Sequence, residues 1–443
     1  MIRGARAITD RLTRRLLGVI LLLGFISGCG RLPNAPLATT LKRAPGTPSI
    51  VGGVPQGVVM MLRSGASADE VALEYGGTVS GAVPELGIYR IIPQSGEDPV
   101  LCAQALQGDA RVSAAEVNEL AIAAESRQSS VAFSEGMRSW STVHDQDAVI
   151  RVGATLAQTA ASGNGVLVAI LDTGIQLDHP AFSGHLALPG IESGVSVSPG
   201  AERAELVDTN QDGIVDGALG HGTHVAGIVL AVAPLVRLLP VRVLDSDGVG
   251  TSFDVASGIV QAADRGAQVI NMSLGMDRSS SAVQSAIHYA RAHGAVVVAP
   301  TGNDQQAWPE FPASLPEVVS VAGLNENDQH APFTNYGPGT DIAAPSVGIL
   351  STYWGGVYAR WTGTSMAAPF VSGTAALLIS ALPPGGGTPS VVEGFLLGGA
   401  YPLGDIDPDY APALGAGRVD ASGSMNLLHS ATGSSDGEQE RWK

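Results

Sequence analysis

The chain has 443 residues, and its 24 Lys and Arg against 41 Asp and Glu give a formal charge of −17. Hydrophobic residues make up 45% and charged residues 15%, which excludes a disordered, charge-rich chain, and the 57 Gly and 27 Pro lack the triplet period of a collagen. Phosphate backbones attract the opposite charge balance, so nucleic acid is not an expected partner.

The N-terminus carries Arg3, Arg6, Arg11, Arg14 and Arg15, then an apolar run over residues 16–26 broken only by Gly18 and Gly24. A basic segment followed by a short apolar one reads as a secretory leader. The run is short for a spanning helix, which needs about 20 apolar residues. It ends Ile26-Ser27-Gly28-Cys29, which resembles a bacterial lipobox. That resemblance implies a leader over residues 1–28 and a lipidated Cys29 as the first mature residue. The protein would then sit outside the cytoplasm, anchored to a bacterial membrane; Gly30, where some lipoproteins have Asp, implies the outer membrane or cell surface. With Cys29 lipidated, Cys102 has no disulfide partner. It falls in a stretch, 100–106, that reads as a helix, where a buried apolar role suits it.

Residues 29–54 lack periodicity and read as a tether. Residues 55–118 have a β-α-β-α-β rhythm: a strand at 58–62, a helix opened by Ser67 and Glu70 at capping-box spacing, a strand at 86–92, a helix at 99–107 and a strand at 112–117. Residues 119–148, rich in Ala, Ser and Glu, read as a linker. From residue 149 apolar runs recur at 166–171, 241–244, 269–272, 295–299 and 318–322, with helical stretches at 221–231, 253–265 and 280–293. Such runs alternating with helices predict an α/β domain over residues 149–428, with a mostly parallel sheet covered on both faces. Sites in such sheets lie at the carboxyl ends of the strands. Residues 429–443 form a polar tail.

Three segments stand out by composition. Asp172 closes an apolar strand in Leu171-Asp172-Thr173-Gly174. His221 opens a helix among small residues in Gly220-His221-Gly222-Thr223-His224. Ser365 stands in Gly363-Thr364-Ser365-Met366-Ala367-Ala368-Pro369, before the apolar run 371–379. A serine hydroxyl is a poor nucleophile until a histidine takes its proton, and that histidine needs an acid to orient it. The chain order Asp, His, Ser differs from the Ser, Asp, His order of α/β-hydrolases. A zinc-peptidase pair would need His at i and i+4 with an intervening Glu, whereas His221 and His224 are i and i+3. His224 therefore reads as a structural histidine.

On these motifs the chain resembles the subtilisin-like serine peptidases from about Gln146 to Met425, and residues 55–118 resemble that family's inhibitory propeptide, a small ferredoxin-like α+β domain. The resemblance implies a three-layer fold and an Asp-His-Ser triad of Asp172, His221 and Ser365. It implies an oxyanion-binding Asn303 after Gly302. It implies two substrate-pairing segments, Gly248-Val249-Gly250 and Ser273-Leu274-Gly275, whose glycines would let a peptide backbone approach closely. It further implies a self-processing zymogen cut between residues 118 and 148, with protein substrates and the chain's own propeptide as partners.

Some positions depart from the family. Phe370 replaces a common His. Ala181 stands where many members carry a calcium-binding Asp, and the stretch 227–234 omits the loop for that site's other ligands, so that site is expected to be absent. A different stretch, Asp208, Asn210, Asp212, Ile214 and Asp216, has the spacing of the start of a calcium loop, but Leu219 stands where the last acid belongs. It is either a structural Ca²⁺ site or a solvated acidic loop; no cofactor is needed for the chemistry. Asp304 and Glu310 flank a segment resembling the family's specificity pocket. They either line it, favouring Arg or Lys by Coulomb attraction, or point to solvent. Pro369, inside the serine's helix, would leave the Ser365 carbonyl without its N–H partner. A silent peptide-binding module and an esterase of another fold are the rival readings.

Overall fold

Alternation decides the layers of the central sheet. In strand Leu167–Asp172, Val168 and Ile170 belong to one apolar cluster and Ala169 and Leu171 to another; in Val296–Pro300, Val296 and Val298 join the first, Val297 and Ala299 the second. Successive side chains point to opposite faces, so a strand apolar at every position must be covered on both. Helices His221–Val232 and Thr364–Ala381 cover one face; Ser252–Asp264 and Ser281–Ala292 cover the other. Among the described residues, Thr364–Ala381 is the one helix long and apolar enough to cross a membrane, and 89% of it is buried within the protein, as befits a core helix.

This computed structural model describes residues 57–94, 97–126, 132–192 and 200–433, with only the backbone of residues 191 and 192. The expected leader, Cys29, the tether up to residue 54 and the end of the polar tail lie outside the described residues.

Among the described residues the central sheet runs Ile342–Pro345, Val319–Leu324, Val296–Pro300, Val269–Met272, Leu167–Asp172, Arg237–Arg242, Ile191–Glu192, with every neighbouring pair parallel. The chain starts at Leu167–Asp172, builds to one side through Arg237–Arg242, then crosses to the other for Val269–Met272 and the strands after it. The strand order therefore reverses at Asp172, and a cleft opens at the carboxyl ends there. Ile342–Pro345 and the hairpin Ile349–Tyr353 with Val357–Trp361 were not anticipated from sequence.

Residues 58–117 form a separate antiparallel sheet, ordered Gly77–Val83, Ile88–Pro93, Val58–Leu62, Val112–Val117. Gly77–Val83 is a strand the sequence rhythm lacked; its two glycines, Thr78 and Ser80 dilute the apolar alternation. Ser67 caps the helix Ala68–Glu74, accepting from the Glu70 N–H at 3.4 Å, and Asp98 caps Pro99–Gln107. Both helices pack on one face of this sheet, around Met60, Val71, Ile91 and Leu106, where Cys102 is also buried. That burial pushes its thiol up from the ordinary value.

The opposite face docks on the central domain, where Val59, Val83 and Ile88 merge with the second cluster. Arg90 pairs with Asp254 at 3.3 Å. Glu116 accepts from Ser280 Oγ at 2.5 Å and the Ser281 N–H at 2.8 Å, at the start of Ser281–Ala292. Asn118 Oδ1 accepts from Ser252 Oγ at 3.1 Å and the Phe253 N–H at 3.0 Å, at the start of Ser252–Asp264. The small domain thus satisfies otherwise orphaned donors at two helix N-termini.

The stretch 119–148, expected to be a linker, is structured where described. Leu120–Ile122 is a strand lying in the cleft, Phe133–Gly136 pairs with Val357–Trp361, and Trp140–His144 is a helix capped by Ser139.

Candidate active site

The three candidate groups meet at the switch point. Asp172 ends its strand fully buried, and its Oδ1 accepts from the Thr173 N–H at 2.7 Å and faces His221 Nδ1 at 2.7 Å. His221 is the first residue of its helix, after Gly220 at φ 95°. Ser365 is the second residue of Thr364–Ala381. Its Oγ lies 3.4 Å from the Ser273 carbonyl. The gap left by Pro369 is filled: Ser273 Oγ donates to the Ser365 carbonyl at 3.1 Å.

Asn303 is oriented by the same helix. Its Oδ1 accepts from the Thr364 N–H at 2.9 Å and Thr364 Oγ1 at 2.8 Å. The amide nitrogen is thereby turned toward the space above Ser365. His224 is buried with Nε2 3.0 Å from the carbonyls of Ile349 and Ala359, and burial pushes it down to about 3. It is a neutral structural histidine.

A strap, residues 120–126, fills the cleft. Leu120–Ile122 runs antiparallel to Val249–Thr251, with Ala121 opposite Gly250 and Ile122 opposite Val249. On the other side Ile122 and Gly275 exchange both backbone hydrogen bonds at 2.9 Å. The Ala123 N–H donates to the Gly248 carbonyl at 2.9 Å. The strap is therefore the middle strand between two edges, which is how an extended peptide adds to exposed strands.

The strap ends on Glu125, which the sequence reading passed over. Its Oε1 accepts from Asn303 Nδ2 at 3.0 Å and the Ser365 N–H at 3.3 Å, and its Oε2 lies 3.0 Å from His221 Nε2. Burial opposes its charge, but His221, Ser365 and Asn303 together hold its carboxyl below the ordinary value. Burial likewise opposes charge on His221, and Asp172 and Glu125 overcome it, raising the imidazole to about 10. The sequence signal for this residue is slight: the only acid in residues 120–131, closing a short apolar run.

A second unanticipated acid, Glu202, lies behind the site. It accepts from Thr173 Oγ1 at 2.5 Å, from Thr223 Oγ1 and from the Gly220 N–H at 2.7 Å. It thus ties the end of the Asp172 strand to the start of the His221 helix. Burial raises its carboxyl to about 7, with the Asp172 charge adding to the shift.

The cleft glycines have differing reasons. A Cβ on Gly248 would overlap Ser126 of the strap and come within 3.2 Å of the Ala123 Cβ, so here close approach of the occupant is the cause. A Cβ on Gly250 would instead strike the Val243 carbonyl, and one on Gly275 the Glu310 carboxyl; one on Gly302 would meet that carboxyl at 2.9 Å. Leu274 is buried in the second cluster. Of the two expected pocket acids, Glu310 thus lies against the cleft walls, while the Asp304 N–H is held by Asn335 Oδ1 at 2.9 Å.

The acidic stretch 208–216, read as either a calcium site or a solvated loop, does not gather its oxygens in this structure. No three His, Cys, Asp or Glu side chains among the described residues are grouped to hold a metal. Asp208, Asn210 and Asp212 accept from the N–H groups of Gly213, Asp212 and Ile214. Asp216 is turned the other way, onto the N–H groups of Glu205, Leu206 and Val207 and the Ser246 hydroxyl. Spacing alone suggested convergence, and backbone turns take the oxygens instead.

The acid-oriented His221, the Asn303 amide and the Ser365 N–H all meet one carboxylate, and such a histidine and pair of donors gathered at a serine suit acyl transfer. Comparison with known proteins agrees. The subtilase family model matches residues 163–422. Thermitase of Thermoactinomyces vulgaris is 41% identical over 240 residues, covering 52% of this chain and 80% of that protein. Subtilisin BL of Lederbergia lenta is 39% identical over 226 residues, covering 49% of this chain and 77% of its own. Among solved structures, a protease of Pseudoalteromonas arctica superposes with a TM-score of 0.56 at 34% identity, covering 62% of this chain and 94% of that one. Fervidolysin of Fervidobacterium pennivorans shares the fold over 84% of this chain and 61% of its own, with a TM-score of 0.66 at 23% identity. The chain belongs to the subtilase family and is a subtilisin-like serine endopeptidase.

Proposed function

We propose that the protein cleaves peptide bonds through an acyl-enzyme and is made as a latent precursor. Ser365 Oγ attacks the scissile carbonyl, and His221 takes its proton and returns it to the leaving amine. Asp172 holds the imidazole through Nδ1 and stabilises its cation. The oxyanion is met by Asn303 Nδ2 and the Ser365 N–H; in subtilisin, losing the equivalent amide lowers kcat by about 10²–10³. Substrate lies as a strand between Val249–Thr251 and Ser273–Gly275. Residues 55–118 act as the inhibitory propeptide, and the strap as its blocking end. Export by the leader and anchoring through Cys29 place the enzyme on the outer side of a bacterial membrane.

The observation that carries this reading is the strap. It is bound as a peptide would be, and its Glu125 carboxylate sits on the two N–H donors that an oxyanion needs. The test is the intact mass of the chain from Gly30 onward, as parent and as Ser365→Ala. The parent should shorten to a chain beginning between residues 119 and 148, and the variant should stay whole. If both stay whole, and neither reacts with a fluorophosphonate, the site is a binding cleft and the proposal fails.

A further inference from the structure

We propose that Glu310 makes this enzyme cleave after basic residues, Arg or Lys. The inference rests on the proteolytic reading above and names its substrate class. Glu310 lies on a short rung between the two walls of the cleft. Its N–H donates to the Thr301 carbonyl at 3.0 Å, and the Phe311 carbonyl accepts from the Met276 N–H at 2.8 Å. The rung presents the Glu310 carboxyl to Gly275 on one wall and Gly302 on the other, so close that a Cβ on either would collide with it. Both walls are glycine where the carboxyl stands, with the Asn335 amide also against Gly302.

This crevice adjoins the reacting position. Gly302 precedes Asn303, and Gly275 pairs with Ile122, two residues before Ala124. Side chains alternate along a strand. The Ala123 Cβ stands against Gly248 on the opposite wall, and Ala124, buried, begins the turn that follows the strand. Ala124 immediately precedes Glu125, whose carboxylate occupies the oxyanion donors, and is the strap's residue at the position before a scissile bond. A longer side chain there would reach the Glu310 carboxyl.

The chemistry then selects. An apolar side chain in the crevice would face the carboxylate without answering its charge. An acidic one would be repelled. An Arg or Lys would lay its methylene stem along the glycine walls and bring its cation to the carboxylate, in a half-buried place where screening is weak.

The test uses the full-length protein after self-processing, with active sites counted by a fluorophosphonate. The substrates are Ala-Ile-Ala-X anilides with X as Arg, Lys, Ala, Phe and Glu. Arg and Lys should exceed Phe and Ala in kcat/KM by about 10²-fold, mostly through KM, and Glu should be poorest. Glu310→Gln should lower the Arg-to-Ala ratio by a similar factor. A parent profile led by Phe or Ala overturns the inference without any variant having to fold, as does Glu310→Gln with an unchanged ratio. Failure to cleave any of these peptides, or denatured casein, overturns the proteolytic reading and this inference with it. Cleavage of casein with an apolar preference overturns this inference alone.

Discussion

The strap in front of His221 and the wall behind its helix each press a buried carboxylate against the catalytic groups, with opposite results. Glu125 is held below the ordinary carboxyl value although burial raises it; Glu202 is raised to about 7 by the same burial. The difference is what each one faces. Glu125 meets the imidazole of His221 as well as two N–H donors, and a cation favours the ionised form strongly. Glu202 meets two hydroxyls and one N–H, with the like charge of Asp172 nearby. Desolvation alone therefore does not decide ionisation; the partner does. The roles divide accordingly. On the proposed function, the charged acid belongs to a segment that must leave, and the readily neutralised one to the permanent fold.

The largest effect is expected from breaking the front contact. Glu125→Ala removes three charge-assisted hydrogen bonds, each worth about 1.5–3 kcal/mol before losses in the released state. The backbone pairing of the strap would remain. The uncut variant should therefore react with a fluorophosphonate at least about 10²-fold faster than the uncut parent. Mass spectrometry of the labelled full-length species in the first minutes separates this from processing. Equal rates would mean that pairing alone enforces latency.

The contrast also shows what a sequence can disclose. Asp172, His221 and Ser365 were legible because each stands at the end of an element, amid small or apolar residues, and their order limits the folds available. The buried strands were legible because a sheet covered on both faces demands unbroken apolar runs. Leu120–Ile122 was not, because its partners are Val249–Thr251 and Gly275, far along the chain. Tertiary context makes it a strand, and an Ala-rich stretch otherwise reads as a linker. Gly77–Val83 and Ile342–Pro345 were not legible for the same reason: their neighbours supply the order. In the acidic loop, spacing records which oxygens exist, while the turn at Asp216 decides where they point. Glu202 is one of seven acids between Asp172 and His221, and its partners Thr173 and Thr223 sit inside two separate motifs.

A smaller effect should follow from pH. In the strapped form Asp172 and Glu125 together raise His221 to about 10; Asp172 stays when the strap leaves, so only the Glu125 share is linked to the strap, and it is lost as pH rises through about 10. Glu125 is lowered from 4.5, so its contribution is complete above 4.5 and is lost as pH falls through its depressed value. The strap should hold most firmly above about 4.5 and loosen as pH rises through about 10. Labelling of the uncut parent should rise across that alkaline range, and Glu125→Gln should flatten the rise. A parent profile that stays level through about 10 would show that the imidazolium does not hold the strap.

The smallest effect is expected at the back. Glu202 is raised from 4.5 to about 7, so the folded state keeps its proton where the unfolded chain has lost it. Stability should therefore fall as pH rises from 4.5 through about 7, with this group as the cause. A glutamine resembles the neutral acid: its oxygen can accept from Gly220 and a threonine, and its amide can donate to the other hydroxyl. Glu202→Gln should keep kcat within about threefold and level the melting temperature across that window, because the geometry holding Thr173 to Thr223 survives without a charge. Glu202→Ala leaves the Gly220 N–H and two hydroxyls without their acceptor and frees the His221 helix start to shift. It should lower kcat by about tenfold while leaving KM for a small anilide nearly unchanged. If glutamine fails as badly as alanine, the ionised carboxylate is what holds the two motifs together, and front and back acids work alike after all.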